Sequence, residues 1–307
     1  MKRYRTAFIF ILALLISHYA AASGSGEKDQ KKSNAKPVIA VSILPQAWFA
    51  ERIAGDRAST VVLVGPGQNP HSYEPTSRQM TELSRADAWI LSKTDFERAL
   101  LPKISSLYPS LEIVDGTKGV KFRKLESHAH EEETEHESGE ELDIDRHTWL
   151  GKEPALIMAS QIRDTLVKYD PAGSEFYNGN FKKLEKDINA VFDSLKPVLA
   201  PLKGKTVFVY HPAFGYFLDD FGIIQEAVET GGKEPTSKSL SELLRKIDKE
   251  NVSVIFVQSQ FPVNAAKTIA STVGAQVVPL DPLAYDWLSN ITLMGNALAK
   301  SSGRPGK

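Results

Sequence analysis

Short β-branched runs alternate with amphipathic segments along the chain from residue 37 onwards. In the first half, apolar runs predict strands at residues 38–43, 60–64, 88–91 and 111–114. Apolar positions at helical spacing predict helices at residues 47–54, 78–85, 96–108 and 154–169. Strands that alternate with helices favour a parallel sheet covered by helices.

The second half repeats this pattern. Its apolar runs predict strands at residues 206–210, 223–228, 252–257 and 276–280. Helices are predicted at residues 213–221, 240–250, 263–273 and 287–299. The chain is therefore predicted to form two parallel-sheet α/β lobes, at residues 37–169 and 203–307.

One long helix is predicted between the lobes, over residues 170–202. Its apolar positions recur at steps of three and four, which marks a single buried face. They are Phe181, Leu184, Ile188, Val191, Leu195, Val198 and Leu202. Asp170 is predicted to cap the helix with Pro171 at its first position, and Pro197 and Pro201 to kink or end it. About 25 residues would span roughly 37 Å, enough to run along both lobes and limit a large hinge movement.

The N-terminus has the features of a secretory signal peptide. Lys2, Arg3 and Arg5 precede a short apolar run at residues 7–16, and alanines at 20–22 offer a cleavage site. The run is too short to span a bilayer. We therefore predict a signal peptide at residues 1–22, a flexible polar leader at 23–36 and a periplasmic location.

Charge and cysteine content narrow the partners. The formal net charge is -1, which gives no reason to expect a nucleic acid or an anionic membrane as a partner. The sequence contains no cysteine, so we expect no disulfide, no thiolate metal site and no lipid anchor on a cysteine.

An acidic segment at residues 126–145 interrupts the first lobe. It contains ten acidic residues, no Lys or Arg, and the histidines His128, His130 and His136. Its few apolar residues cannot offset the entropy lost on ordering, so a disordered loop is predicted. Imidazoles among carboxylates could bind divalent cations weakly, and a solvated insertion without a metal role is the alternative.

Four residues outside this segment follow predicted parallel strands. His71 follows the second strand, His147 the fourth, and His211 and Asp281 come directly after strands of the second lobe. Open α/β sheets bind ligands at this end of their strands, so the four residues predict a metal site in the cleft between the lobes. Three imidazoles and one carboxylate complete a tetrahedral zinc shell, which favours holding the metal over catalysis. Singly, each residue could instead be a hydrogen-bonded structural group or a helix cap.

The sequence around these residues resembles a known family. GQNPHSYEPT at residues 67–76 is similar to the G-x-x-P-H-x-[FY]-E-P-[ST] motif of the zinc- and manganese-binding proteins of ABC transporters, the ZnuA/TroA-like family. DRHTWL at 145–150, YHPAFGY at 210–216, EPT at 234–236 and LDPL at 280–283 resemble further motifs of that family. The motifs occur in order over the whole chain that follows the predicted leader.

The resemblance implies two α/β lobes joined by a backbone helix, with His71, His147, His211 and Asp281 as metal ligands. Zinc members tend to carry His at the third position, where manganese members carry Glu, so His211 indicates zinc. The implied function is a periplasmic zinc-binding protein, not an enzyme, that acts as a monomer with the permease of a metal ABC importer. Residues 151–152 and 258–260 depart from the family pattern, and neither departure is expected to contact a ligand.

Three alternatives stay open at the sequence level. A manganese or mixed-metal carrier would use the same residues, although manganese prefers more oxygen ligands. A zinc hydrolase would need an open coordination position and a nearby base, for which Glu74 is the candidate. An adhesin with this fold would act at the cell surface, and the lack of a cysteine for lipid anchoring counts against it.

Overall fold

The first lobe is a four-stranded parallel sheet with helices on its faces. The computed structural model describes residues 35–125, 144–229, 237–250, 252–261 and 263–301. The strands are β1 Val38–Val41, β2 Ser59–Val62, β3 Ala88–Leu91 and β4 Glu112–Asp115, in the order β2-β1-β3-β4. The helices are α1 Leu44–Ala54, α2 Ser77–Leu83, α3 Asp95–Leu107 and α4 Lys152–Tyr169.

The second lobe has the same architecture. Its strands are β5 Thr206–Val209, β6 Ile224–Ala227, β7 Val254–Gln258 and β8 Gln276–Leu280, and they form a parallel sheet in the order β6-β5-β7-β8. Its helices are α6 Gly215–Asp219, α7 Ser237–Lys249, α8 Val263–Val273 and α9 Trp287–Ser301. The predicted fold class, with two parallel-sheet α/β lobes, is confirmed.

Burial explains why continuous apolar runs form these strands. All four residues of β3 are buried, because its neighbours β1 and β4 occupy both edges and helices cover both faces. A strand in such a sheet has no solvent-facing side, so it gains nothing from alternating polar residues. The register pairs Ile39 with Ala88 and Trp89 with Ile113, which aligns the carboxyl ends of the strands.

The long linking helix is α5, Ser174–Leu199, whose 26 residues span about 39 Å. Its beginning differs from the prediction. The Asp170 carboxylate accepts a hydrogen bond from the Gly173 backbone N–H at 3.2 Å, and this caps a 3₁₀ turn at Pro171–Gly173. The α-helix itself starts at Ser174, because the tight proline turn comes first.

The two prolines near its end act differently. Pro197 lies inside α5, and the helix continues for two more residues to Leu199, so this proline does not itself end the helix and the predicted kink at this position stays a prediction. Its interruption of the ladder comes in the last turn, where the helix loses little. Pro201 lies in the 3₁₀ turn Ala200–Leu202 that follows the helix, which agrees with its predicted role as a terminator.

Buried contacts join the two lobes, and the described residues from 36 onwards form one compact unit. Helix α5 packs against α1 and α4 of the first lobe and against α9 of the second. Two tryptophans cross the boundary: the Trp149 indole N–H donates to the Pro282 carbonyl at 2.7 Å, and that of Trp287 donates to the Trp149 carbonyl at 2.7 Å. The Trp287 ring also lies 5.0 Å from that of Phe49. One cluster of buried apolar residues therefore extends through both lobes, and a second lies within the second lobe.

Some predictions fall on residues beyond the described ranges. The predicted signal peptide and most of the leader lie before residue 35. Of the acidic segment at 126–145, only the last two residues lie within the described ranges. Lys124, which precedes this segment, and Ile144 form an antiparallel bridge. Within the described ranges, no helix combines the length and apolar character needed to cross a membrane.

Candidate metal centre

Three histidines meet between the lobes. The Nε2 atom of His211 lies 3.0 Å from Nε2 of His71 and 3.3 Å from Nε2 of His147. All three candidate ligand atoms lie within 4.8 Å of one another. His147 and His211 are buried, whereas the His71 side chain is 32% exposed, so the cluster is approached from the His71 side.

The loop after β2 presents His71. Gly67 takes a positive φ of 72°, a conformation that favours glycine, where the loop turns. The Asn69 side chain accepts a hydrogen bond from the His71 backbone N–H at 2.9 Å, which closes an Asx turn. Tyr73 anchors the loop, because its buried hydroxyl donates to the Leu63 carbonyl at 2.6 Å.

His147 and His211 are held by short-range and strand-end contacts. Asp145 Oδ1 accepts from both the backbone N–H of His147, at 2.9 Å, and its ring Nδ1, at 2.8 Å. His211 follows β5, and its backbone N–H donates to Oε1 of Gln258 at 3.2 Å. The Gln258 amide donates in return to the His211 carbonyl. Gln258 belongs to a segment predicted not to contact a ligand, and that expectation is wrong.

Each imidazole also carries a carboxylate on its other nitrogen. The Nδ1 atoms of His71, His147 and His211 lie 2.6 Å from Asp95, 2.8 Å from Asp145 and 2.7 Å from Glu229 respectively. An ionised carboxylate only accepts, so it holds the ring proton on Nδ1 and leaves the Nε2 lone pair free. Carboxylates in this position are typical partners of metal-binding histidines.

The spacing of the Nε2 atoms fits a small cation. With the ring protons on Nδ1, the lone pairs of Nε2 atoms 3.0–3.3 Å apart repel one another unless a cation lies between them. A tetrahedral zinc ion with bonds of 2.0–2.1 Å to nitrogen would separate its ligands by about 3.3–3.4 Å. The pairs that include His211 are therefore close to the edge length of a zinc tetrahedron.

Burial keeps His211 neutral. Its desolvation lowers the pKa to about 4, against the smaller opposing effect of the Glu229 carboxylate. The hydrogen bond from His71 lowers the pKa of Asp95. Burial by itself raises the pKa of Asp145, but hydrogen bonds and charge from His147 and Arg123 outweigh it and lower the pKa. The centre thus combines ionised carboxylates with a neutral imidazole at its most buried position.

Asp95 and Glu229 were missed as partners at the sequence level. Asp95 is the first residue of α3, which follows β3, and Glu229 comes two residues after β6. Both follow the carboxyl ends of parallel strands, the same position that singled out the histidines. Applied to every acidic residue, that rule would have included them.

Asp281 stands apart from the three histidines. It follows β8 as predicted. Among the described residues, however, the cluster of candidate ligand atoms consists of the three imidazoles and does not include Asp281. Its Oδ1 accepts from the Gln260 amide at 2.8 Å and from the Leu283 backbone N–H at 2.9 Å. Asp281 as the fourth ligand stays a prediction.

The space beside the histidines is very small. Its volume is about 10 Å³, and its walls include Trp149, Phe261 and Leu283. The Phe261 ring stacks on that of His211, with centroids 4.6 Å apart and planes 23° apart. This volume suits one ion or one water molecule. His128, His130 and His136 lie outside the described residues, so their role stays a prediction.

Comparison with known proteins agrees with this geometry. Residues 39–300 match the model of the ZnuA family, described as zinc-uptake complex component A, periplasmic. The zinc-binding lipoprotein AdcA of Streptococcus pneumoniae serotype 4 is 26% identical over 277 residues, which are 89% of this chain and 55% of that protein. The chain thus spans about half the length of the curated relatives it matches.

Solved structures share the fold. A crystal structure of ZnuA has a TM-score of 0.79 and 29% identity, and the match covers 88% of this chain and all of the other. The periplasmic zinc-binding protein TroA from Treponema pallidum has a TM-score of 0.76 at 18% identity, again over 88% of this chain and all of the other. The family match extends over most of the sequence and includes every residue of the histidine centre, and the chain belongs to the ZnuA family.

Proposed function

We propose that this protein binds one zinc ion through Nε2 of His71, His147 and His211 and delivers it to the permease of a metal ABC importer. One observation carries the proposal. Three Nε2 atoms converge between the lobes, while a carboxylate holds each Nδ1 proton. Rings whose protons stay on Nδ1 have no N–H to donate to one another, which favours a cation between their Nε2 atoms.

The donor set favours zinc over manganese. Zinc accepts imidazole nitrogen in a four-coordinate shell, whereas manganese prefers oxygen ligands and a higher coordination number. We propose Asp281 as the fourth ligand, because it follows β8 and its neighbour Leu283 lines the same small space. The relative named a zinc-binding lipoprotein supports the same metal.

The geometry supports a carrier and not a zinc hydrolase. A hydrolase needs space for its substrate and a base beside a metal-bound water. The space at the histidines holds about 10 Å³, and the carboxylates nearest the rings are engaged with Nδ1. We therefore propose that the site holds an ion and carries out no reaction.

The family supports a proposal for location and partners. Its description as a periplasmic component of a zinc-uptake complex supports an extracytoplasmic protein that acts with a membrane transporter. We propose that the protein acts in the periplasm as a monomer. The formal net charge of -1 gives no reason to propose a nucleic acid as a partner.

Metal analysis tests the proposal directly. Protein purified without added metal should contain about one zinc per chain by elemental mass spectrometry, and metal-free protein should bind zinc more tightly than manganese in a competition titration. His71→Ala, His147→Ala and His211→Ala should each weaken zinc binding. The control Gln276→Ala changes an exposed residue and should leave the zinc affinity unchanged. Tighter binding of manganese than of zinc would instead establish a manganese carrier. Absence of tight binding for either metal would refute the proposal.

A further inference from the structure

Arg123 lies one contact away from a proposed ligand. Its Nη1 donates to Oδ2 of Asp145 at 2.8 Å, while Oδ1 of the same carboxylate is engaged with His147. The Asp145 backbone N–H also donates to the Arg123 carbonyl at 2.9 Å. The Asp145 side chain is fully buried and that of Arg123 is 15% exposed, so this ion pair is shielded from solvent.

The same arginine contacts the second lobe. Its Nε donates to Oδ2 of Asp219 on α6 at 3.0 Å, and its backbone N–H donates to the Tyr216 hydroxyl at 3.1 Å. The Tyr216 hydroxyl then donates to the Asp145 carbonyl at 2.9 Å. Arg123 and Asp145 belong to the first lobe, so these bonds connect the support of His147 to a helix of the other lobe.

Gly215 makes the approach of this guanidinium possible. A Cβ atom at Gly215 would lie 1.6 Å from Nη1 of Arg123, far inside van der Waals contact. The first residue of α6 therefore has to lack a side chain while Arg123 occupies this position. The arrangement is a fitted contact and not a loose surface ion pair.

We propose that Arg123 is a positioning residue for the metal centre, which fixes His147 through Asp145 and ties this ligand to α6 of the second lobe. The inference rests on the proposed function, because His147 has to be a ligand. Without the guanidinium, the buried carboxylate of Asp145 would lose its countercharge and the hydrogen bond that Arg123 donates to Oδ2. Asp145 would then turn towards other donors and leave the His147 ring without its fixed orientation.

A double-mutant cycle on zinc affinity tests this chain of contacts. Arg123→Gln should weaken zinc binding 10- to 100-fold, the range found for outer-shell partners of metal ligands. In a His147→Ala background, the same substitution should change the affinity by less than about threefold, because the ligand it positions is gone. In a His71→Ala background it should keep its full effect, since His71 is held by Asp95 instead.

Matched variants separate positioning from folding. Arg163→Gln makes the same change at an arginine paired with Asp164 on α4 and should leave zinc affinity unchanged. Gly215→Ala displaces the guanidinium while keeping the arginine, and it should reproduce the loss and its dependence on His147. It also serves as the test if Arg123→Gln does not fold, with circular dichroism of the metal-free proteins as the check.

The outcomes distinguish this inference from the proposed function. A parent protein that binds no zinc would refute the proposed function itself. A parent that binds zinc tightly, with equal effects of Arg123→Gln in the His147→Ala and His71→Ala backgrounds, would overturn only the role of Arg123. Unchanged affinity in both Arg123→Gln and Gly215→Ala would overturn it as well.

Discussion

Glu229 offers the sharpest test of how the carboxylates act on the centre. Its Oε2 lies 2.7 Å from Nδ1 of His211, and both residues are buried, with exposures of 2% and 5%. Glu229→Gln keeps the shape and an accepting oxygen but removes the charge. Glu229→Ala removes the acceptor as well and leaves a buried N–H without a partner.

Typical hydrogen-bond energies set the expected size of the two effects. A hydrogen bond to a charged group contributes about 1.5–3 kcal/mol, against roughly 1 kcal/mol for a neutral one. Zinc makes the Nδ1 proton of a bound imidazole more acidic, so the charged acceptor matters more in the zinc form than in the metal-free form. We expect zinc affinity to fall about tenfold in Glu229→Gln and about 100-fold in Glu229→Ala, which corresponds to roughly 1.4 and 2.7 kcal/mol.

Competition with a chelator of known zinc affinity measures both values. Glu226→Gln is the matched control, because it makes the same change at a glutamate on β6 that pairs with Lys246. Urea unfolding of the metal-free proteins should show that Glu229→Ala loses about 1–3 kcal/mol of stability through the unpaired Nδ1–H. Zinc affinities equal to the parent in both Glu229 variants would refute the assignment of this carboxylate to the centre.

Three further predictions concern pH, selectivity and the acidic segment. The pKa of His211 is lowered to about 4 in the folded protein, so as the pH falls the unfolded chain takes up a proton at this residue before the folded protein does. The stability of the metal-free protein should therefore fall from about pH 6.5 towards pH 4, by up to about 1.4 kcal/mol per pH unit. Urea titrations of the parent and His211→Gln would show whether this slope depends on the imidazole. His211→Glu should lower the zinc-to-manganese affinity ratio, because a hard oxygen replaces nitrogen, and an unchanged ratio in competitive titrations would contradict the preference for zinc. Deleting residues 127–139 should preserve the tight zinc equivalent in calorimetry and remove only weaker binding; loss of the tight event would place that segment in the primary site, and identical stoichiometry would show that it binds no metal.

The tight contacts between the lobes bear on how metal could leave the site. Indole hydrogen bonds of Trp149 and Trp287, together with the packing of α5 on both lobes, connect the two halves through buried groups. Such contacts oppose a wide opening of the lobes. Release of the ion is therefore expected to depend on local movement at the exposed side of the centre, where His71 is carried by a loop.

The sequence by itself determined the order and type of the elements. Strands β3 and β8 and helix α8 coincide with their predicted bounds, because continuous apolar runs and helical spacing are local properties of the chain. The strand-end rule also selected His71, His147 and His211, since topology places the carboxyl ends of parallel strands along one edge. Local pattern and sheet topology were sufficient for these results.

Only the tertiary structure decided which groups meet. Asp95 reaches His71 across 24 positions of sequence, and Arg123 reaches Asp219 across 96. Asp281 follows its strand as predicted, yet its carboxylate binds Gln260 and stays outside the histidine cluster. Such pairings depend on how loops and helices pack on finished sheets. Sequence periodicity does not predict that packing, because each of these contacts depends on distances and burial that exist only once the two lobes have assembled.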